Sequence, residues 1–142
     1  MAEPISIRQN ALRSARSIQG IMFISILLDA FAGEQISRKS EAPGGVFIAA
    51  ISVVAIFEII LAIYFRKRFV LASAEQLRDQ PDDVGALKRW RAGIILVAVF
   101  CVSIGLYGMV LRSVGYTLSR CVPFYAVAAL LLLIWWPRLD VA

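Results

Sequence analysis

Glu58 is the residue of this sequence whose type and position suit it best to a chemical role. It lies within an apolar run, and the nearest charged residue, Arg66, is eight positions further along the chain. In a membrane-spanning helix eight residues correspond to about 12 Å, and an ionised side chain at such a depth costs about 3 kcal/mol or more. That leaves two interpretations. Glu58 is a proton or cation site, as intramembrane acids often are, or a protonated carboxyl that donates one hydrogen bond to a neighbouring helix.

Polar side chains at a similar depth in the other apolar runs are the candidate partners of Glu58. Counted from the basic residues that border each run, they are Ser25, Cys101, Ser103 and, somewhat further in, Tyr107. Small residues mark the positions where helices approach closely, and here these are Ala55, Ala62, Gly105 and Gly108. The spacing predicts that the second and third runs pack with these small residues facing and with Glu58 near the seam.

The composition argues against most other chemistry. The 142 residues include no histidine and two cysteines, so a histidine base, a metal site or an iron–sulfur cluster is not expected. The sequence has no glycine loop for phosphates and no nucleophile–base pair, which predicts no enzyme activity and no cofactor. The net charge of +5 does not indicate a nucleic-acid partner, because the basic residues flank apolar runs as anchors at an anionic lipid bilayer do.

The elements that must position these residues are helices in a membrane. Sixty per cent of the residues are hydrophobic, and four runs are long enough to cross about 30 Å of hydrocarbon: residues 11–32, 46–65, 92–111 and 121–136. Helices are expected because hydrocarbon cannot hydrate free backbone groups. We predict an all-α integral membrane protein, one domain over residues 1–142, with four transmembrane helices in an up-down bundle. Residues 66–91 are predicted to form a cytoplasmic helical hairpin, with its turn at Pro81-Asp82-Asp83.

Basic residues predict the orientation. The N-terminus, the middle loop and the C-terminus hold 11 lysines and arginines, and the other side holds 4, which are Arg38, Lys39, Arg112 and Arg120. This bias places both termini in the cytoplasm, and a bacterial inner membrane is the natural expectation. Three tryptophans, Trp90, Trp135 and Trp136, would then lie at the cytoplasmic interface. Asp29 would be an interfacial charge near the other side, within reach of Arg112 or Arg120. An alternative is a signal peptide that is cleaved after residues 30–32, a small-residue pattern.

Two stretches in the second half carry a resemblance. ALKRWRAG at residues 86–93, followed by SIGLYGMVL at residues 103–111, is similar to a pattern in uncharacterised small bacterial membrane proteins with four spans. That resemblance implies no particular activity. The length and the mid-membrane glutamate also resemble the proteolipids of rotary ATPases and the small multidrug transporters. The chain departs from both, because its acid lies in the second span and the glycine-rich first helix of the proteolipids is missing.

These observations predict a protein of structural or interaction type, either a homo-oligomer or an accessory subunit of a membrane complex. The alternative is a proton-coupled transporter or ion-translocating protein that uses Glu58. Substitution of Glu58 by glutamine would separate the two, because it should abolish coupled flux but leave an accessory subunit assembled.

Overall fold

The computed structural model describes residues 4–36 and 44–137, with side chains from residue 9 onward. The described chain is helical apart from short turns. Helix α1 is Pro4–Ile36, α2 is Gly45–Phe65, α3 is Ala72–Asp79, α4 is Val84–Ser113 and α5 is Leu118–Ile134. A π-helical segment, Arg66–Leu71, joins α2 to α3 without a break. For the described residues, the prediction of an all-α fold is confirmed.

Three helical stretches are long and apolar enough to cross a membrane: Gln9–Ile36, Gly45–Asp79 and Val84–Ser113. The fourth predicted span corresponds to α5, which is apolar and has 17 residues. Its length is about 26 Å, slightly less than a typical hydrocarbon core. The turn before α5 depends on Gly115, whose φ of 98° lies in the region that favours glycine. Helix α5 begins three residues before the predicted span, and Pro123 lies inside it.

The four long helices alternate in direction. Helices α1 and α4 run parallel, since Ser14 lies beside Arg91 at one end and Glu34 lies beside Arg112 at the other. Helices α2 and α5 run antiparallel to them. We call the end that holds Arg66 and Arg91 the basic end, and the opposite end the Arg112 end. Of the lysines and arginines that predict the orientation, Arg38, Lys39 and Arg138 lie outside the described residues, as does the side chain of Arg8.

Helix α4 is the central element, and it packs against α1, α2, α5 and the π-helical segment. In the described residues no Cα atom of α2 lies within 8 Å of one in α1 or α5. The alternation of direction follows the prediction, but α1 lies beside α4 rather than beside its sequence neighbour α2. Gly105 permits this, because a Cβ atom there would lie 3.3 Å from Cγ1 of Ile26 in α1. Parallel α1 and α4 therefore approach closely.

The core runs the length of α4. Its middle part is built from small and branched residues of α1, α4 and α5, namely Ile26, Ala98, Cys101, Ile104, Ala128 and Leu132. At the basic end, Trp90 packs against Ala15, Leu77 and Ala86 and is 1% exposed. The sequence predicts this indole at the lipid interface, whereas the structure buries it because α1 and α3 both cover that face of α4. Trp135 and Trp136 are half-buried at the same end.

The turn between α3 and α4 is held by Asp83. Its Oδ1 accepts a hydrogen bond from the backbone N–H of Ala86 at 3.0 Å, which caps the first turn of α4. Its Oδ2 accepts a second from Nε2 of Gln76 in α3 at 2.7 Å. One carboxylate therefore caps α4 and also forms a hydrogen bond with α3, which stabilises the hairpin of residues 72–91.

Candidate functional site

The candidate site is a carboxyl–phenol pair between α2 and α4. The hydroxyl of Tyr107 in α4 lies 2.6 Å from Oε1 of Glu58 in α2, and both side chains are partly buried. The antiparallel packing of the two helices brings together residues that are 49 positions apart. The pair joins two helices whose facing surfaces are otherwise mostly apolar, so it fixes their relative position along the bundle axis.

The second oxygen of the carboxyl, Oε2 of Glu58, is buried and has no hydrogen-bond partner among the described residues. A carboxyl in this position can hold a proton on Oε2 or accept one further hydrogen bond from a group that enters the seam. Glu58 lies on the same side of α2 as Ala55 and Ala62, which are the buried residues of that helix. The small side chains let α2 approach α4 on the face that carries Glu58.

In the described residues, the other three predicted partners form no hydrogen bond with the carboxyl. Ser25 and Ser103 are partly buried, and neither forms a hydrogen bond with Glu58 in the described part of the chain. Cys101 is a free thiol with no exposed surface, and it lies in the apolar core between Ile26 and Leu132. Of the four candidates, Tyr107 is therefore the one that forms a hydrogen bond with Glu58 in the described part of the chain.

The small residues of α4 face different helices from those that the sequence predicts. A Cβ atom on Gly105 would meet Ile26 of α1 and Ala128 of α5, and one on Gly108 would lie 2.9 Å from the ring of Tyr125 in α5. Gly105 is about 160° around α4 from Tyr107, because successive residues are about 100° apart. The glycines thus pack against α1 and α5, and the tyrosine takes the position that faces α2.

A second polar cluster lies at the Arg112 end, and the sequence analysis missed it. Arg112 binds Glu34 of α1 with two hydrogen bonds, of 2.8 Å and 3.0 Å, and it donates a third to the backbone oxygen of Tyr116 at 2.9 Å. The hydroxyl of Tyr116 in turn donates to the backbone oxygen of Gly44 at 3.0 Å. These contacts connect the end of α1, the α4–α5 turn and the start of α2.

The sequence analysis places Asp29 within reach of Arg112 or Arg120. In the structure Arg112 pairs with Glu34 instead. Oδ2 of Asp29 is buried without a partner among the described residues, and the same is true of the hydroxyl of Tyr125. The carboxylate–guanidinium geometry explains the choice, since Glu34 accepts with both oxygens from the Nε–Nη2 edge of Arg112. The role of this cluster is to hold helix ends together.

The described residues contain no group of three or more histidine, cysteine, aspartate or glutamate side chains that could hold a metal ion. Family models, curated proteins and solved structures were compared with this chain, and none matches it.

Proposed function

We propose that the chain is a four-span integral membrane protein that acts by associating with other membrane polypeptides, as a homo-oligomer or as an accessory subunit of a larger complex. The main support is the position of α2. It packs on α4 through one face, and only Ala55 and Ala62 are buried within it. In a bilayer, burying apolar side chains against another helix gains little over leaving them in lipid. Transmembrane helices therefore associate through close packing with neighbouring helices.

The outer surface of α2 is large and apolar. Its exposed side chains are Val46, Phe47, Val53, Val54, Ile56, Phe57, Ile60, Ile63 and Tyr64. A cavity of about 300 Å³ beside it opens between α2 and α5, and Ser52, Ile104 and Phe124 are part of its lining. A helix of another polypeptide packed on this side would fill the cavity and give α2 a second neighbour.

The distribution of charge supports the proposed orientation with both termini in the cytoplasm. In the described residues the basic end carries Arg13, Arg16, Arg66, Lys67, Arg68, Arg78, Lys88, Arg89 and Arg91. The opposite end carries Arg112 and Arg120. We infer that the basic end and the α3–α4 hairpin face the cytoplasm, and we propose a bacterial inner membrane as the location.

A proton-coupled or ion-translocating protein is the second candidate. One observation favours it: Oε2 of Glu58 is buried and has no partner among the described residues, while Oε1 accepts a hydrogen bond from Tyr107. The residues that flank Glu58 along α2 are apolar over several turns, which disfavours a proton relay along that helix. In liposomes, a coupled transporter would lose proton flux on Glu58→Gln, whereas the association proposal predicts no flux that depends on this residue.

Site-specific photo-cross-linking in native membranes tests whether α2 is the association surface. We expect Phe57→Cys and Tyr64→Cys, both on the exposed face of α2, to give a discrete higher-mass adduct after labelling with benzophenone maleimide and illumination. Leu28→Cys is the matched control, because it is equally exposed but lies on α1. The native cysteines do not interfere, since Cys101 and Cys121 have no exposed surface. Equal adducts from both helices, or none from α2, would contradict the proposal.

A further inference from the structure

A cavity of about 260 Å³ lies at the basic end, lined by residues of α1, the π-helical segment, α3, α4 and the end of α5. We call it the basic-end cavity. Its polar lining comes from Gln19 of α1 and Arg66 of the π-helical segment, and Trp90 and Trp135 form part of its apolar lining. It is separate from the Glu58–Tyr107 pair and from the outer face of α2. A ligand in this cavity therefore does not require the proposed association surface.

Gln19 presents an unused hydrogen-bond acceptor in this region. The side chain is 2% exposed, and its Nε2 donates to the backbone oxygen of Leu132 in α5. Because that carbonyl oxygen can only accept, the amide must turn its NH₂ group towards it. The remaining atom, Oε1, is buried and has no partner among the described residues. A buried acceptor without a donor costs free energy. A ligand hydroxyl or ammonium group would satisfy it once a small shift of the Gln19 side chain, which lines the cavity, exposes Oε1.

Arg66 supplies a positive charge to the lining of the same cavity. Its guanidinium lies 5.6 Å from the ring centroid of Trp135, which orients the side chain by a cation–π contact. No carboxylate of the described residues forms an ion pair with it. Arg66 begins the π-helical segment, and π-helical turns inside long helices occur frequently at functional sites. An oriented arginine without an acidic partner is a site for an anion such as a phosphate.

The remaining lining sets the size and the class of the ligand. The cavity holds a small polar headgroup and not a complete lipid. Aliphatic side chains such as Val70, Ile94 and Ile134 complete its lining. A phosphate beside a hydroxyl, attached to acyl chains that run along the apolar surface of the bundle, meets all of these requirements.

We propose that the basic-end cavity binds the headgroup of an anionic phospholipid of the phosphatidylglycerol class. The phosphodiester accepts hydrogen bonds from Arg66, and a glycerol hydroxyl donates to Oε1 of Gln19. The bound lipid would satisfy the buried acceptor and neutralise the arginine in one step.

Native mass spectrometry of the purified protein, titrated with defined lipids in micelles, tests this site. The probes are phosphatidylglycerol and phosphatidylmethanol, which carry the same phosphodiester charge but differ in the headgroup hydroxyls. We expect the protein to prefer phosphatidylglycerol. Arg66→Gln should weaken its binding about tenfold or more, since a charge-assisted hydrogen bond to phosphate is lost. Arg68→Gln is the matched control, because Arg68 belongs to the same π-helical segment, is exposed and does not line the cavity.

Gln19→Met tests the second contact. We expect it to bind both lipids about equally, because the acceptor for the glycerol hydroxyl is gone. The proposal is overturned if Arg66→Gln binds as the protein itself does, if Gln19→Met keeps the preference, or if inorganic phosphate or glycerol 3-phosphate displaces the lipid at equal concentration. Should either variant fail to fold by circular dichroism, the competition between the two lipids on the unchanged protein decides. No preference there overturns the proposal.

Discussion

Replacing Tyr107 with phenylalanine should destabilise the protein more than replacing Tyr107 and Glu58 together with apolar residues. The single change leaves both oxygens of the Glu58 carboxyl without a partner in the described part of the chain. A buried polar group that loses its hydrogen bond costs about 1–3 kcal/mol, whereas removing both partners can be nearly neutral. The measurement is the unfolding free energy in micelles for Tyr107→Phe, Glu58→Leu and the double variant.

The coupling free energy from this cycle should be about 0.6–2 kcal/mol, the range found for hydrogen bonds between transmembrane helices. Tyr64→Phe is a matched control, because Tyr64 is an exposed tyrosine of α2, and it should leave the stability almost unchanged. Strictly additive effects of the two substitutions would show that the contact between α2 and α4 does not depend on this pair.

Gly93→Ala should loosen the basic end of the bundle. A Cβ atom at this position would lie 2.7 Å from Cβ of Phe69 and 3.0 Å from Cγ2 of Val70, both in the π-helical segment. The Cβ of Phe69 cannot turn away, because it is fixed to the backbone, so the segment has to move off α4. Overpacking of this kind typically costs about 1–3 kcal/mol, which exceeds the gain of at most about 1 kcal/mol from the better helix propensity of alanine.

The thermal unfolding midpoint in micelles measures the effect, with Gly20→Ala as the control. In the described part of the chain, nothing apart from the adjacent backbone of α1 lies within 4 Å of an ideal Cβ on Gly20, so the control gains helix propensity without a clash. We expect the midpoint to fall for Gly93→Ala and to stay or rise slightly for Gly20→Ala. An equal midpoint for the two variants would mean that the π-helical segment does not pack tightly on α4.

The helices were predictable because their apolar runs are long and bounded by charges. The residue that contacts Glu58 was predictable only as one of four candidates. Depth along a helix can be counted from its bordering arginines, but the direction that each side chain faces depends on the rotation of α4. That helix has neighbours on several sides and is apolar around most of its circumference, so its pattern does not single out the face that meets α2.

Two other features had no usable signal in the sequence. The Glu34–Arg112 pair joins residues 78 positions apart, and it requires parallel contact between α1 and α4, which short connections do not suggest. The residues RKRFVL of the π-helical segment show no sequence pattern that distinguishes a π-helix from an α-helix. The basic-end cavity depends on that segment, since Arg66, Val70 and Leu71 line it. Its existence could therefore not be inferred before the fold was known.

The central proposal is that the protein works through association by way of α2, and native mass spectrometry from its own membrane tests it most directly. We expect the 15.7 kDa chain to appear with further copies or with other polypeptides in a fixed ratio. The triple variant Phe57→Ala, Ile60→Ala, Tyr64→Ala should lose these companions. The matched variant Ile24→Ala, Leu28→Ala, Phe31→Ala on the exposed face of α1 should keep them. If the unchanged protein appears only as a single chain, or if both variants behave alike, the proposal is wrong.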